Sequence, residues 1–278
     1  MGNSVKLQVL ISAFGPDGIL RVSAGSHPEV EGVEYVVSWQ IPDGDMEVPL
    51  GIASRNDFKV VKSSTRGLSR NRNLSLALAT APLAVIGDDD VDYTSSGLSE
   101  AMRIMDLHPN AALIAMRYGS SCMEKWYPSC GFGLYRLPKG YYVSSVEMVI
   151  RPAKIKSAGV WFDERFGIGS YFVAGEEQLF VHALLRAGLE CRYEPAEICR
   201  HEGDTTSSRY VSDPALVSAK GAMISILYPK GWWLRMLTHV FREAGPERGI
   251  SRRAYFRAWI GGVSRLRSLP LVKPGYLR

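Results

Sequence analysis

The run PLAVIGDDD, residues 82–90, decides the fold class of this 278-residue chain. A compact apolar run that leads directly into acidic residues is typical of a buried β-strand whose last residues reach solvent. Three adjacent carboxylates repel one another unless a cation or strong hydrogen-bond donors compensate their charge. Because Mg²⁺ and Mn²⁺ prefer carboxylate and phosphate oxygens, Asp88, Asp89 and Asp90 are candidate ligands for such a cation and a phosphate. The alternative is a solvated acidic turn that binds nothing.

Strands and helices alternate on both sides of this run. Apolar alternation and turn residues predict strands at 5–13, 33–39, 58–61, 111–116 and 190–194, with a β-prone run at 141–150. Helical spacing predicts helices at 68–78, 96–107, 175–187, 231–243 and 252–267, and FGPDG at 14–18 is interpreted as a turn that ends the first strand. This alternation is typical of an α/β sandwich with a mainly parallel sheet, in which ligands bind beyond the carboxyl ends of the strands.

The composition is that of an ordinary globular protein, with 46% hydrophobic and 22% charged residues, and it excludes a disordered chain. Cys122, Cys130, Cys191 and Cys199 show no C-x-x-C spacing, which argues against a zinc site. The N-terminus has no signal-peptide layout, and no stretch reaches the ~18 uninterrupted apolar residues of a spanning helix. We therefore expect a cytoplasmic protein with reduced thiols.

Charge is distributed unevenly along the chain. Residues 230–278 contain 11 Lys/Arg and 2 Asp/Glu, whereas residues 1–229 contain 22 and 26. A basic segment of this kind indicates contact with an anionic partner, such as nucleic acid or a membrane surface. Apolar residues at helical spacing accompany the charge: Trp233, Leu237, Val240 and Phe241, then Phe256, Trp259, Ile260 and Val263. These faces either bind the inner face of the plasma membrane peripherally or pack against the rest of the protein.

Three further motifs carry groups that suit phosphate or hydroxyl chemistry. Arg70 and Arg72, in RGLSRNRN, lie near a predicted helix N-terminus, where they can bind a diphosphate through charge-assisted hydrogen bonds. Glu176 and Glu177 begin another predicted helix, and they either offer a base for an incoming hydroxyl or merely favour the helix dipole. His201, in CRHE, is either a further metal or phosphate ligand or an ordinary packed side chain.

Taken together and in this order, these segments resemble the inverting family 2 glycosyltransferases of the GT-A fold. The matching pieces are LQVLIS at 7–12, GLSRNRN at 67–73, IGDDD at 86–90, FDE at 162–164, GEE at 175–177 and the late His201. The resemblance implies an α/β fold of the GT-A type, a three-layer sandwich with a mainly parallel central sheet, followed by a C-terminal helical extension. It also implies a catalytic domain at 1–213, with a nucleotide-sugar-binding half (1–117) and an acceptor-binding half (118–213), and a basic extension at 214–278.

The resemblance implies a metal and diphosphate site at the acidic cluster. Asp88 and Asp90 are expected to hold Mn²⁺ or Mg²⁺ together with the donor diphosphate. His201 is expected to be a further metal ligand, and Asp89 to share in donor binding. Because successive side chains alternate along extended backbone, Asp88 and Asp90 would point one way and Asp89 the other.

The resemblance also implies contacts to the donor from the strand ends and from the helix at 68–78. The residues concerned are Ser12, Phe14, Gln40, Arg70 and Arg72. The family usually has an Asp-rich end to its second strand, which contacts the base of the nucleotide. SWQ at 38–40 takes that place here, so Gln40 is the candidate for reading the base.

The implied reaction is a single displacement with inversion. Glu177 stands where the family has the Asp of a Glu-Asp pair, so it is the expected base, with Glu176 beside it. The metal would offset charge on the leaving nucleoside diphosphate. The implied partners are a nucleotide-diphosphate sugar donor and a saccharide or lipid-linked acceptor, in polysaccharide or glycolipid biosynthesis. The aromatic residues of 118–150 either stack on sugar rings or form core: Trp126, Tyr127, Tyr135, Tyr141 and Tyr142.

Two other functions remain open from the sequence. A nucleotidyltransferase that makes a nucleotide sugar would favour a Gly-rich phosphate loop with a lysine after the first strand, and FGPDG contains none. A nucleic-acid-binding protein would use the basic C-terminal segment, but it leaves the acidic cluster and the paired glutamates unexplained. We therefore expect no nucleic-acid partner.

Overall fold

The computed structural model of the protein describes residues 4–121, 125–202 and 213–270. These residues form two compact units. The first contains residues 4–66, 70–161 and 183–202, and the second contains residues 67–69, 162–182 and 213–270. The functional division of the chain at 117/118 and 213/214 stays a prediction.

The first unit is built on a sheet to which all nine described strands belong. The strands are β1 (Leu7–Phe14), β2 (Val33–Gln40), β3 (Phe58–Ser63), β4 (Leu83–Asp88), β5 (Val91–Tyr93), β6 (Ala111–Gly119), β7 (Phe132–Gly133), β8 (Met148–Ile150) and β9 (Glu190–His201). Their order is β3-β2-β1-β4-β8-β6-β9-β5, and β7 pairs with β9. The strands β1 to β4 pair in parallel, as do β6 and β9, whereas β5, β7 and β8 pair antiparallel.

Helices connect these strands and make up most of the second unit. The described helices are α1 (Gly15–Ala24), α2 (Leu50–Ala53), α3 (Leu68–Leu78), α4 (Ser95–Leu107), α5 (Pro152–Ser157), α6 (Glu176–Arg186), α7 (Pro214–Leu227), α8 (Trp232–Glu243) and α9 (Arg252–Ser268). No helix in the described part of the chain is long and apolar enough to cross a membrane.

The central strands of the first unit are buried along almost their whole length. Each residue of β2 is buried, and β1 and β4 are buried up to their last residue. Continuous apolar runs of this kind are expected for parallel strands, because helices cover both faces of the sheet. Packing of this density holds the strand ends in one register, which is what a binding site at the sheet edge requires.

In the second unit, α7 and α9 pack at backbone distance. A Cβ atom on Gly262 would lie 2.0 Å from the Ser218 carbonyl oxygen, and one on Gly221 would lie 2.6 Å from the Trp259 carbonyl oxygen. Both positions therefore exclude any larger residue. Trp259 is fully buried between the helices, so its large apolar ring contributes strongly to this core.

A single carboxylate joins the three C-terminal helices. Glu243 of α8 accepts hydrogen bonds from Lys220 Nζ of α7 at 2.6 Å and from the Tyr255 hydroxyl of α9 at 2.8 Å. The Nδ1 atom of His239, one turn earlier on α8, lies 2.6 Å from the same carboxylate. Burial alone would raise the pKa of Glu243, but its bonds to His239 and Lys220 outweigh burial and lower the pKa to about 2.

The interpretation of residues 14–18 as a turn is wrong. Strand β1 continues directly into α1, which begins at Gly15 and has Pro16 in its first turn. Gly15 has a φ of 63°, a left-handed conformation that allows the sharp change of direction. Proline is favoured in the first turn of a helix as well as in turns, so the same residues serve either structure.

Two strand predictions also need correction. Strand β9 does not end at residue 194 but runs to His201, because its register with β6 shifts between Ala115 and Arg117, opposite Pro195. An irregularity of this kind tolerates a proline inside a strand. The β-prone run at 141–150 forms only the short β8, preceded by a 3-10 turn at residues 145–147. The helices at 68–78, 96–107, 175–187, 231–243 and 252–267 are confirmed to within one residue at either end.

Candidate functional site

The register of the central strands brings the predicted strand-end residues to one edge of the sheet. Ser12 of β1 lies opposite Asp88 of β4, and Phe14 of β1 lies opposite Gln40 of β2. The strands are parallel, so these residues share the carboxyl edge of the sheet, where α/β proteins bind ligands. We call Ser12, Phe14, Gln40 and Asp88 the strand-edge site.

Arg72 and Ser145 hold the carboxylate of Asp88. The Nη2 atom of Arg72 lies 2.9 Å from Oδ1 and 3.1 Å from Oδ2 of Asp88, and it donates to Ser145 Oγ at 2.8 Å. Ser145 Oγ in turn donates to Asp88 Oδ2 at 3.1 Å. The Arg72 side chain is only 2% exposed, whereas that of Asp88 is 26% exposed. The buried arginine therefore fixes a carboxylate that still reaches solvent.

Helix α3 contributes a polar buried face to this edge. Asn71 Nδ2 donates to the Ala13 carbonyl oxygen at the end of β1, and the Ser38 hydroxyl of β2 donates to Asn71 Oδ1. These bonds tie α3 to both strand ends, next to Arg72. Arg70 lies exposed on the same helix, whereas Arg72 is buried against Asp88, so the two arginines that the sequence grouped differ in their surroundings.

The other two aspartates of the cluster take different partners. Asp89 accepts two hydrogen bonds from Arg21 of α1, at 3.1 and 2.9 Å. Burial raises the pKa of Asp89, and this effect outweighs the ion pair with Arg21, which lowers the pKa. Asp90 Oδ2 lies 3.3 Å from His201 Nε2, and this hydrogen bond lowers the pKa of Asp90 and raises that of His201. Asp89 is therefore paired with α1 through Arg21, and Asp90 contacts the end of β9 through His201.

The pairing of β5 with β9 explains why Asp90 meets His201. In this antiparallel pair Val91 lies opposite His201, so the residue directly before Val91 is brought beside the imidazole. The ring of Tyr118 packs against His201 edge-on, with 5.8 Å between centroids. The structure therefore places His201 beside Asp90, while the role of His201 as a metal ligand stays a prediction.

The predicted metal site is reduced to the Asp90–His201 pair, whose role as a metal site stays a prediction. Among the described residues, no group of three or more His, Cys, Asp and Glu side chains is arranged to hold a metal ion. Asp90 and His201 supply one carboxylate oxygen and one imidazole nitrogen, donors that Mn²⁺ accepts. A cation there would take further ligands from a bound diphosphate, which is how such ions are usually held. The carboxylate of Asp88 is already paired with Arg72, and the role of Asp88 as a metal ligand stays a prediction.

At the end of β2, Gln40 is held in place rather than exposed. Its side chain is buried, and Nε2 donates to Thr65 Oγ1 at 2.9 Å. Phe14, on the neighbouring strand, is half exposed, and the guanidinium of Arg66 lies 5.8 Å from its ring centroid. Arg66 also pairs with Asp43. The structure therefore adds Thr65 and Arg66 to the strand-edge region, and the sequence signal for Arg66 was its position in RGLSRNRN.

Ser145 was missed because its segment was expected to be a strand. The signal was present, since Ser144 and Glu147 have the spacing of a capping box, and both of its hydrogen bonds are formed. Glu147 is fully buried and lies 2.5 Å from Lys125 Nζ, which is itself 4.1 Å from the centroid of the Tyr142 ring. This buried pair shapes the turn that presents Ser145 to Asp88.

The paired glutamates begin α6. Gly175, directly before them, has a φ of 106°, and a Cβ atom there would lie 3.1 Å from the sulfur of Met223, so only glycine suits this entry to the helix. Glu176 is buried, whereas Glu177 is half-buried. Of the two predicted bases, Glu177 therefore has the better access to a substrate.

The aromatic residues of 118–150 divide into core and surface. Tyr127 and Tyr141 pack around Lys125, whereas Trp126 is 55% and Tyr135 83% exposed. The two exposed rings border an open groove of about 570 Å³. Its lining consists of Trp126, Pro128, Ser129, Cys130, Gly131, Phe132, Gly133, Tyr135, Arg136, Leu137 and Pro138. Core packing therefore accounts for Tyr127 and Tyr141, whereas stacking on sugar rings stays a prediction for Trp126 and Tyr135.

Comparison with solved structures identifies the architecture. The structure of residues 1–349 of TarS from S. aureus matches with a TM-score of 0.56 and 16% sequence identity, over 94% of this chain and 89% of that one. The same protein in complex with UDP-GlcNAc matches with a TM-score of 0.57 and 18% identity, over 95% of this chain and 83% of that one.

This chain has the GT-A fold. The predicted fold, a mostly parallel α/β sheet followed by C-terminal helices, is thereby confirmed. UDP and UDP-GlcNAc are ligands of TarS in two of the matching structures. No family model matches the chain, and no curated protein matches its sequence.

Proposed function

We propose that this protein is a glycosyltransferase that moves a sugar from a nucleoside-diphosphate sugar to an acceptor hydroxyl. The observation that carries the proposal is the strand-edge site, where buried Arg72 holds Asp88 at the joined carboxyl ends of parallel strands and the Asp90–His201 pair follows directly in the chain. A fold shared with TarS, a GT-A glycosyltransferase with a known UDP-GlcNAc complex, supports a UDP-sugar as the donor.

The base of the donor would bind between Phe14 and Gln40. The exposed ring of Phe14 offers a flat apolar surface, and its neighbour Arg66 adds a cation near the ring. Gln40 lies opposite Phe14 with its Nε2 bonded to Thr65 Oγ1, so this buried side chain would turn outward to bring its amide donor and acceptor to a pyrimidine edge. These two residues would therefore select the nucleotide in place of the family's acidic strand end.

The diphosphate would bind beside Asp88, with Mn²⁺ or Mg²⁺ held by Asp90 and His201. When bound, the cation would offset the negative charge that develops on the leaving diphosphate. Arg72 keeps Asp88 fixed for a contact with the donor, and Arg21 holds Asp89 on α1, so the protein needs no rearrangement of these carboxylates on binding.

Glu177 would act as the base. It would take the proton of the acceptor hydroxyl while the hydroxyl oxygen forms a bond to the anomeric carbon. The bond from that carbon to the diphosphate oxygen breaks, and its electron pair leaves with the nucleoside diphosphate. Attack from the opposite face inverts the configuration. The half-buried position of Glu177, beside buried Glu176, supports this assignment over the reverse.

The acceptor would be a saccharide, free or lipid-linked, as in polysaccharide or glycolipid biosynthesis. Exposed aromatic rings offer apolar faces with a polar rim, and Trp126 and Tyr135 border a groove large enough for a small-molecule ligand. Arg136 in its lining would favour an acceptor with anionic groups.

The proposal is tested by ligand binding and by turnover. Thermal shifts with UDP, GDP, CDP and dTDP, each with Mn²⁺ or EDTA, should reveal one nucleotide that stabilises the protein, because a ligand of the native state raises its stability. The same nucleotide should be released from its sugar conjugate in the presence of an acceptor. If no nucleoside diphosphate stabilises the protein, the proposal is wrong.

A further inference from the structure

Helix α8 leaves an apolar row uncovered while its other face is packed. Met236 and Val240 point into the core of the second unit. The adjoining face carries Trp233, Leu234, Leu237 and Phe241, which are 49%, 54%, 40% and 66% exposed. Positions 233, 237 and 241 recur every fourth residue, so these side chains line one side of the helix. We call these four residues the α8 row.

The structure separates two alternatives that the sequence left open. On α9, Trp259 and Val263 are buried against the neighbouring helices, and Val240 of α8 is buried as well, so packing accounts for these residues. Packing does not account for the α8 row, which remains exposed together with Phe256 of α9. An exposed cluster of large apolar side chains marks an interaction surface.

Basic residues flank the row at both ends. Arg235 lies 3.4 Å from the centroid of the Tyr228 ring, and Arg252 lies 5.4 Å from that of Phe241. Lys230 and Arg242 are also exposed. Glu243, the acidic residue of α8, is turned inward to Lys220, His239 and Tyr255, so its charge is compensated within the unit. Glu247 lies beyond the end of the helix, in the 3-10 turn at 246–248. The surface is therefore apolar along its centre and cationic at its margins.

We propose that the α8 row and its flanking arginines bind the surface of an anionic phospholipid bilayer. Trp, Leu and Phe on one face of a helix, with Lys and Arg at the margins, suit the headgroup boundary, where the rings enter the acyl region and the cations meet lipid phosphates. The attachment is peripheral, since no described helix is long and apolar enough to span a membrane.

Charge complementarity favours a bilayer over a second copy of the chain. A two-fold contact through the α8 row would place the same patch against itself, and the flanking Arg235, Arg242 and Arg252 would then face like charges. An anionic bilayer instead supplies the opposite charge over the whole surface. The excess of basic over acidic residues in 230–278 also favours an anionic surface as the partner. The inference does not depend on the proposed function, because it concerns lipids and not a sugar donor or acceptor.

The test uses the full chain and sedimentation with vesicles. Removing the C-terminal helices would not be informative, because α9 supplies buried Tyr255 and Trp259 to the core of the second unit. The apolar variant is Trp233→Gln with Leu237→Gln and Phe241→Gln. The charge variant is Arg235→Gln with Arg242→Gln. The control is Leu50→Gln on α2, which removes a still more exposed apolar side chain from the first unit.

We expect the unmodified protein to sediment with phosphatidylglycerol vesicles and not with phosphatidylcholine vesicles, and to dissociate as salt is raised. The apolar and charge variants should each bind at least about tenfold more weakly, and Leu50→Gln should bind normally. Circular dichroism should show that all variants keep the fold, since every substituted residue is exposed.

Equal sedimentation of the apolar variant and the control, or no sedimentation of the unmodified protein, would overturn the proposal. A dimer that only the apolar variant abolishes, without vesicle binding, would assign the surface to self-association instead.

Discussion

The guanidinium of Arg72 contacts both carboxylate oxygens of Asp88, although the two residues lie on different elements, α3 and β4. The helix buries the arginine, and the strand end leaves the carboxylate partly open to solvent. A fixed charge of this kind costs little reorganisation when a ligand binds, because its orientation is set before the ligand arrives. If the protein binds a nucleotide-sugar donor as proposed, Arg72 would act on it by fixing the orientation of Asp88.

Arg72→Lys should weaken nucleotide binding and lower the melting temperature. The shorter lysine side chain would not place its ammonium nitrogen where Nη2 of Arg72 meets both Asp88 and Ser145. Arg103→Lys on α4 is the control, and it should leave the melting temperature nearly unchanged because the surface ion pair of Arg103 with Glu100 contributes little to stability. Calorimetry with UDP and thermal melts of both variants test this. Equal melting temperatures for the two variants would contradict it.

Asp90→Asn should remove the metal-dependent part of nucleotide binding. The amide oxygen is a weaker ligand for Mn²⁺ than a carboxylate, and its contact with His201 loses the charge of the present pair. UDP affinity measured with Mn²⁺ should fall to the value obtained with EDTA. Asp92→Asn, two residues further on, is the control, because Asp92 accepts a hydrogen bond from the Ser26 amide and lies outside the pair. If Asp90→Asn still responds to EDTA as the unmodified protein does, the cation lies elsewhere.

Glu177→Gln should lower turnover by roughly 10²–10⁴-fold while donor affinity stays nearly constant. Glutamine keeps the size of the side chain but cannot accept the proton of the acceptor hydroxyl. Glu176→Gln is the natural comparison, since Glu176 is buried next to it at the same helix N-terminus. Turnover and donor affinity of the two variants should be measured side by side. A large loss for Glu176→Gln alone would exchange the two roles.

The sequence predicted the central strands and the long helices well, because their apolar patterns are strong and continuous. It placed Ser12, Gln40 and Asp88 at strand ends, and parallel pairing brought them to one edge. The predictions of element boundaries failed at prolines, because proline occurs in turns, in the first turn of a helix and at strand irregularities. Pro16 begins a helix where a turn was expected, and Pro195 occupies a strand irregularity where the strand was expected to end.

The family resemblance grouped Asp90 with His201 as metal ligands, but residue spacing alone predicted neither this contact nor that of Asp89 with Arg21. Arg21 and Asp89 meet only because α1 packs beside the end of β4, and Asp90 meets His201 only because β5 pairs with β9. The spacing of these residues along the chain does not indicate either contact, because both depend on how the helices and strands pack in the folded protein. The same holds for the exposed α8 row, because a helical pattern alone does not say which apolar residues are covered.

Glu243 should make the second unit sensitive to acid. Its pKa in the folded protein is about 2, below the ordinary value of 4.5, so the ionised form is stabilised by folding. This stabilisation is fully present above pH 4.5 and is lost as the pH falls towards 2, and linkage gives it a size on the order of 3 kcal/mol. Glu243→Gln should therefore be less stable than the unmodified protein at pH 7 and lose less stability between pH 5 and pH 3. Glu247→Gln, which removes an exposed glutamate just beyond the end of α8, is the control for the loss of one acidic side chain. Urea unfolding at several pH values, monitored by circular dichroism, measures the difference. Parallel pH profiles for Glu243→Gln and the unmodified protein would mean that Lys220, His239 and Tyr255 do not hold this carboxylate in solution.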